Sequence, residues 1–482
     1  MRRSSLVVAA AAVAVSAALI AVIAAADTDD GAAGGDAARH GARVGGCASG
    51  AAASSRARVI LRCVAPSLAF VSSPLGTGSG ILVDDRYVVT NAHVVDPFGM
   101  VDLVFGQTEH HRDVPVTGVD FAADLALVGP VDTARRPLPV ADYDRVHRGD
   151  DVYLVGYPGE VDDEPEATIS RGILSRTRRA RGFDLTFLQT DAAIGGGQSG
   201  GALVDDGGQV VGVSGFSFAE EFALALSGRD TRRAIRHIRN GDTAPYVPFP
   251  PAGATTGAFD LAGPEDAQVL TLHTRRSEEV RLDLAPELRP AVYAADLDGG
   301  DVYFQNQEAV DAAREAGEDV EGTDEVDVPE TPGVYKFEVP ANTYAVIQVG
   351  TRLAEGAHVA YTSNVALGRY DDADDDRPIE VGERVQGTID PLELAGDTYV
   401  VDLEQGEQVD VFAGSATGDV GYEVRAPGQT GADATYVDDS GLGLFGADAR
   451  DVYVADASGP HRITVYSADG TGTGYVLEVL PA

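Results

Sequence analysis

The sequence predicts an all-β chain of three folded units, on three observations. From Ala57 to about Asn240, β-type runs of three or four residues are cut by Gly, Pro and Asp turns. A proline-rich break, Pro245 to Pro251, ends that texture. Beyond it, longer strands alternate apolar and polar side chains with period two, which buries one face and wets the other, the pattern of two-sheet sandwiches. The length, 482 residues, agrees with about three domains at ~100 to 200 residues each.

Taken in order, Arg2 and Arg3 precede an apolar run, Leu6 to Ala26, and Ala24-Ala25-Ala26 before Asp27 offers a small-residue cleavage site. Residues 1–26 read equally as a signal peptide or an N-terminal membrane anchor, with 6–26 as the tether. Both readings place the chain outside the cytoplasm, exported and secreted or held at the cell surface. Residues 27–56 are Ala, Gly, Ser and Asp with few large apolar side chains, so they read as a flexible linker. The two cysteines, Cys47 and Cys63, suit a disulfide in that compartment, and the sequence leaves their pairing open. In 57–244 the strand-like runs are Ile81 to Val83, Tyr87 to Thr90, Leu103 to Phe105, Leu125 to Val128, Val152 to Val155 and Val210 to Val213, closed by a helix from Thr231 to Ile238. In 252–368, Leu270 and Leu272 followed by Val280, Leu282 and Leu284 read as a hairpin. Tyr399, Val401 and Leu403 followed by Val409 and Val411 repeat it in 377–482. The units also end alike, Gly333 to Val339 in the first and His461 to Val465 in the second. Each is expected to be a β-sandwich domain. The run Tyr370 to Asp376 between them reads as a charged linker; there, or at Asp296, Asp298 and Asp301, clustered carboxylates would also suit calcium.

Charge narrows the function. There are 36 basic and 76 acidic residues, a formal net charge of -40. Such like charge strains a compact state unless concentrated ions screen it, which points to a halophilic host. It argues against nucleic acid as a partner. Lys336 is the only lysine, so the basic stretch Arg171, Arg176, Arg178, Arg179 and Arg181 reads as a solvated hairpin tip or a site for a carboxylate.

A serine hydroxyl is a poor nucleophile unless a base, an acid that holds the base, and donors for an oxyanion surround it. Val88-Val89-Thr90-Asn91-Ala92-His93 presents a histidine at the end of an apolar strand, after Gly78-Ser79-Gly80-Ile81. Asp124 stands at the entrance of the apolar strand Leu125 to Val128, and Asp120 reads as its surface competitor. In Gly195-Gly196-Gly197-Gln198-Ser199-Gly200-Gly201, glycines on both sides permit a sharp turn, so that the amides of Gly197 and Ser199 can face one point.

The order His93, Asp124, Ser199 with these flanks, together with Gly156-Tyr157-Pro158-Gly159, Ser170 to Ser175 and Phe222-Ala223-Leu224, resembles the HtrA/Deg branch of the trypsin-like serine peptidases over residues 57 to 240. The resemblance implies a chymotrypsin-like double β-barrel followed by the two β-sandwich domains, which themselves resemble pre-peptidase C-terminal domains. It implies catalysis by His93, Asp124 and Ser199, an oxyanion hole from Gly197 and Ser199, and substrate binding by Ala193, Ser214 and Gly215. Uncharged Ala193 implies small or aliphatic side chains before the scissile bond of polypeptide substrates. Neither a metal nor an organic cofactor is expected. Two departures stand out: Gly195-Gly196 replaces the family's Asn-Pro, and no PDZ domain follows, so oligomeric state is not carried over. The rival expectation is an inactive cell-surface protein that binds through its sandwiches.

Overall fold

The computed structural model describes residues 55–482 except 160–164, 262–266, 297–332, 370–376, 390–395, 439–447 and several stretches of four residues or fewer. The expected leader, most of the linker, Cys47, Arg181, Asp298, Asp301 and the Asp371 to Asp376 run lie outside the described residues. Cys63 is disulfide-bonded.

The first described element is a helix that the strand pattern did not predict, α1 (Arg56–Val64), whose N-cap Ser55 accepts a hydrogen bond from the Arg58 amide. Two closed six-stranded antiparallel barrels follow. The first holds β1 (Leu68–Ser73), β2 (Gly76–Leu82), β3 (Val88–Thr90), β4 (Met100–Phe105), β5 (Glu109–Asp120) and β6 (Leu125–Val128), with a one-turn helix, α2 (Ala92–Val95), after β3. The second holds β7 (Asp151–Gly156), β8 (Thr168–Ala180), β9 (Leu185–Thr190), β10 (Ala202–Asp205), β11 (Val210–Phe218) and β12 (Phe222–Ser227). Closure leaves no unpaired edges and turns the apolar face of every strand inward. The fold class is therefore the double barrel expected. The polar strand β5 was invisible in the sequence because much of it faces solvent. α3 (Gly228–Asn240) runs longer than expected: Ser227 caps it by accepting from the Asp230 amide, and Gly241 ends it at φ 73°.

The remaining chain forms β13 (Ala254–Leu261), β14 (Ala267–Thr274), β15 (Glu278–Leu284), β16 (Pro290–Asp296), β17 (Val334–Val339), β18 (Thr343–Thr351) and β19 (Ala357–Arg369). Then come β20 (Arg377–Pro378), β21 (Arg384–Ile389), β22 (Asp397–Leu403), β23 (Gln408–Ser415), β24 (Val420–Arg425), β25 (Thr435–Val437), β26 (Ala449–Val454), β27 (Gly459–Ser467) and β28 (Thr473–Pro481). The expected hairpins are not hairpins. β14 pairs with β18 and β19, while β15 pairs with β17 and β19; β22 lies in the sheet β20-β22-β27-β24-β25, while β23 lies in β21-β28-β23-β26. β14 and β15 lie in one seven-stranded sheet with β19 between them, whereas the turn between β22 and β23 carries the chain from one sheet to the other, so that Val401, Leu403, Val409 and Val411 all enter one shared core. The repeat is real in the pairing of strands, although the expected equivalence of their ends is shifted. The strand that pairs with β22 and β24 is β27, and its counterpart, between β14 and β16, is β18 rather than β17.

Both later units touch the first barrel. Tyr344 of β18 packs edge-on against Phe98, ring centroids 5.0 Å apart, just past α2. Thr417, after β23, donates through Oγ1 to the Phe121 carbonyl at 3.3 Å.

Candidate active site

His93 sits in α2, where β3 of the first barrel ends. Its backbone amide donates to Asp124 Oδ1 at 3.0 Å, and its Nδ1 lies 2.9 Å from Asp124 Oδ2. One carboxylate thus fixes both the backbone and the ring. Asp124 is itself held by a 3-10 turn, Phe121–Ala123, whose first carbonyl accepts from the Asp124 amide at 3.1 Å. The turn leaves Asp124 in the left-handed region, φ 47°, which aspartate enters more readily than most non-glycine residues but still at a cost that its surroundings must offset. The Asp124 carbonyl receives the Asn91 side-chain amide at 2.9 Å and the Ala92 amide at 3.1 Å. The carboxylate is 7% exposed and the imidazole 36% exposed. Partial desolvation works against the imidazolium, but the charge of Asp124 and its hydrogen bond outweigh it, so the His93 pKa stands above the ordinary imidazole value.

Ser199 comes from the second barrel, in the loop between β9 and β10. Its Oγ lies 3.2 Å from the Gly215 carbonyl oxygen. The β11–β12 register shifts between Ser214 and Phe216, so Gly215 is the bulged residue, and the bulge aims its carbonyl at the serine. Gly215 also lies against the histidine's partner: a Cβ there would be 3.5 Å from Asp124 Oδ2 and 3.1 Å from Asn91 Nδ2. Through Gly215 the structure brings His93, Asp124 and Ser199 to one place between the barrels.

The loop that carries Ser199 is tied on all sides. The Gly195 amide donates to Gln198 Oε1 at 2.7 Å, and Gln198 Nε2 donates to Thr168 Oγ1 at 2.9 Å. Gly159 N donates to the Gly196 carbonyl at 2.6 Å. Gly197 has φ 82°, and a Cβ on it would come within 2.3 Å of Gly159 N, so no other residue fits there without moving the chain. Neither the Gly197 nor the Ser199 amide donates to another of the described residues.

The residues expected to bind substrate separate. Ala193 is exposed, and its carbonyl accepts from Ser170 Oγ at 2.6 Å. Ser214 is fully buried, and every polar group it has holds the serine loop: Oγ donates to the Gln198 carbonyl at 2.7 Å, N to the Gly201 carbonyl at 2.9 Å, and O accepts from Gly200 N at 2.8 Å. Only Gly215 directly meets the serine. Of the basic stretch, Arg171 meets an internal carboxylate, Asp151, at 2.7 Å. Asp120, the competitor, caps the 3-10 turn through the Ala123 amide.

Sequence reasoning missed Ser79. Its buried Oγ accepts from the Tyr157 amide at 2.8 Å and donates to the Gly197 carbonyl at 2.9 Å, and its amide donates to the Ser199 carbonyl at 2.7 Å. It fastens β2 of the first barrel to the serine loop of the second. Among the described residues no group of three or more His, Cys, Asp or Glu side chains is placed to hold a metal, and no helix is long and apolar enough to cross a membrane.

Two joined barrels with a histidine–aspartate pair and, on the other side of Gly215, a glycine-flanked serine are the marks of the class of trypsin-like serine peptidases. Residues 78–213 match the family described as trypsin-like peptidase domain, and this part of the chain is a trypsin-like peptidase domain of the HtrA type. Serine endoprotease DegS of Escherichia coli (strain K12) is 37% identical over 147 residues, 29% of this chain and 40% of the relative. The putative serine protease HhoA of Synechocystis sp. (strain ATCC 27184 / PCC 6803 / Kazusa) is 34% identical over 187 residues, 36% of this chain and 45% of the relative. Among solved structures, the HtrA-type protease AlgW with tripeptide is 25% identical and aligns over 40% of this chain and 65% of that one, with a TM-score of 0.36. The chain spans about 40% of the length of the DegS relatives it matches.

Proposed function

We propose that the chain is an exported serine endopeptidase that cleaves polypeptides through His93, Asp124 and Ser199. The observation that carries this is the 2.9 Å bond between His93 Nδ1 and Asp124 Oδ2. A carboxylate on Nδ1 fixes the tautomer that leaves Nε2 to act as base, and it stabilises the imidazolium that forms. The Ser199 hydroxyl leaves Gly215 and turns toward the imidazole; its proton passes to His93 as Oγ bonds to the substrate carbonyl carbon. The amides of Gly197 and Ser199 receive the oxyanion. The C–N bond then breaks, His93 returns the proton to the leaving amine, and water repeats the sequence to release the acid and restore the serine.

Export is supported by the basic start and apolar run at the N-terminus, and a preference for small or aliphatic residues by the uncharged Ala193. The acidic composition supports work in concentrated salt. Wild-type protein in molar salt should label with a fluorophosphonate probe and cleave casein, and Ser199→Ala should do neither. Labelling that survives the substitution would overturn the assignment.

A further inference from the structure

The 3-10 turn that presents Asp124 is braced from outside the barrel. The Phe121 carbonyl, which closes the turn by accepting from the Asp124 amide at 3.1 Å, also accepts from Thr417 Oγ1 at 3.3 Å. Beside it, Gly474 of β28 lies flush against Ala122: a Cβ on Gly474 would sit 2.7 Å from both Ala122 N and Ala122 Cα. Ala416 is fully buried in the same apolar cluster as Ala123.

The edge that does this is itself rigid. Thr417 Oγ1 lies 3.1 Å from Thr473 Oγ1, and Ser415 Oγ lies 2.7 Å from Thr473 Oγ1 while donating to the Gly474 carbonyl at 2.9 Å. The amides of Thr417 and Gly418 donate to Ser415 Oγ at 3.1 and 3.0 Å. Tyr475, next in the chain, is fully buried; its hydroxyl donates to Asp397 and lies 2.6 Å from the Tyr399 hydroxyl, which pins β28 to β22 of the other sheet.

We propose that the last sandwich is a positioning module for the catalytic aspartate, with Thr417 and Gly474 as its positioning residues. Docked, it keeps Asp124 in a left-handed conformation that the isolated turn would not favour; undocked, it lets the carboxylate turn away from His93. This rests on the triad assignment above and extends it to a part of the chain more than 290 residues away. Among the described residues, the charge that faces His93 is Asp124, while Asp120 at the base of the turn faces His237 and Arg233.

Full-length Gly474→Ala and Thr417→Val, with Thr417→Ser and Thr398→Val as companions, test it. Thr398 shares a hydroxyl contact with Thr464 in the same sandwich, away from the turn. Gly474→Ala and Thr417→Val should lower kcat on the order of ten- to a hundred-fold with KM within about twofold. They should also move the acid limb of kcat/KM to lower pH, because a carboxylate that has turned away no longer favours the imidazolium. Thr417→Ser should restore the wild-type profile and Thr398→Val should leave it unmoved. Wild-type profiles in both Gly474→Ala and Thr417→Val, or an equal effect from Thr398→Val, would overturn the proposal. If Gly474→Ala does not fold, the nearly isosteric Thr417→Val decides. If the wild type neither labels nor cleaves, the triad assignment falls. The brace is then read by NMR titration of the His93 ring, which needs no turnover: a pKa unchanged by Thr417→Val would overturn it.

Discussion

At the scale of single residues, the molecule separates what a motif announces from what supports it. His93, Asp124 and Ser199 could be singled out as candidates because each lies beside an apolar strand and carries a local signature. Ser79 and Asn91 stand inside the same motifs, but nothing local marks their roles. The Ser79 hydroxyl meets partners 78 and 118 residues away, and the Asn91 amide meets the carbonyl of Asp124, 33 residues on. The resemblance places Ser214 beside the substrate; a bulge between strands, unreadable in the sequence, also commits its polar groups to the serine loop. The titration of His93 follows from its partner. Its pKa is raised, so the base form prevails only above the ordinary value of about 6.5, and the acid limb of kcat/KM should lie above that pH. Asp124→Asn removes the charge, so the limb should fall to lower pH while the plateau rate drops about 10⁴-fold. A limb that stays in place, followed across pH with a peptide substrate, would separate the histidine's titration from Asp124.

At the scale of elements, alternation identified the faces of the strands but not their partners. Period two says that Leu270, Leu272, Val280 and Leu282 are buried; it does not say whether the intervening turn returns to the same sheet or crosses to the opposite one. Here β19 inserts between β14 and β15 within one sheet, while from β22 to β23 the chain crosses to the other sheet. β5 shows the converse failure, a long strand whose outward residues hide it. Its first residue matters for stability. Although partial desolvation opposes it, hydrogen bonds from Thr133, Arg135 and His111 hold the Glu109 pKa down at about 2. Arg135 also reaches the carbonyls of Pro66 and Phe105, so this cluster ties the loop after β6 to β4 and to the start of β1. A depressed carboxylate contributes stability above its unfolded pKa and loses it as pH falls through the folded one. Glu109→Gln should therefore melt at a lower temperature than wild type at pH 7, with the gap narrowing between about pH 5 and pH 2. Parallel melting curves across that range would show that Glu109 contributes nothing.

At the scale of the whole molecule, charge and connectivity act together. With a net charge of -40, mutual repulsion is weakened where ions shorten the electrostatic range, from roughly 10 Å at 0.1 M to 3 Å at 1 M. The melting temperature should climb steadily from dilute to molar monovalent salt, and a flat dependence measured by calorimetry would remove the case for a salt-requiring fold. The composition made this expectation legible from the outset. The seating of the last sandwich on the first barrel was not, because Thr417 and Gly474 carry no pattern and meet their partners only once both units have folded.

That seating has a consequence for synthesis. Phe121 and Thr417 are 296 residues apart, and Gly474 leaves the ribosome later still. A nascent chain can close both barrels long before β28 exists, yet the aspartate would still lack its support. Under the proposed brace, such a peptidase comes of age only after β28 has emerged and docked, which would spare the machinery that makes it until then.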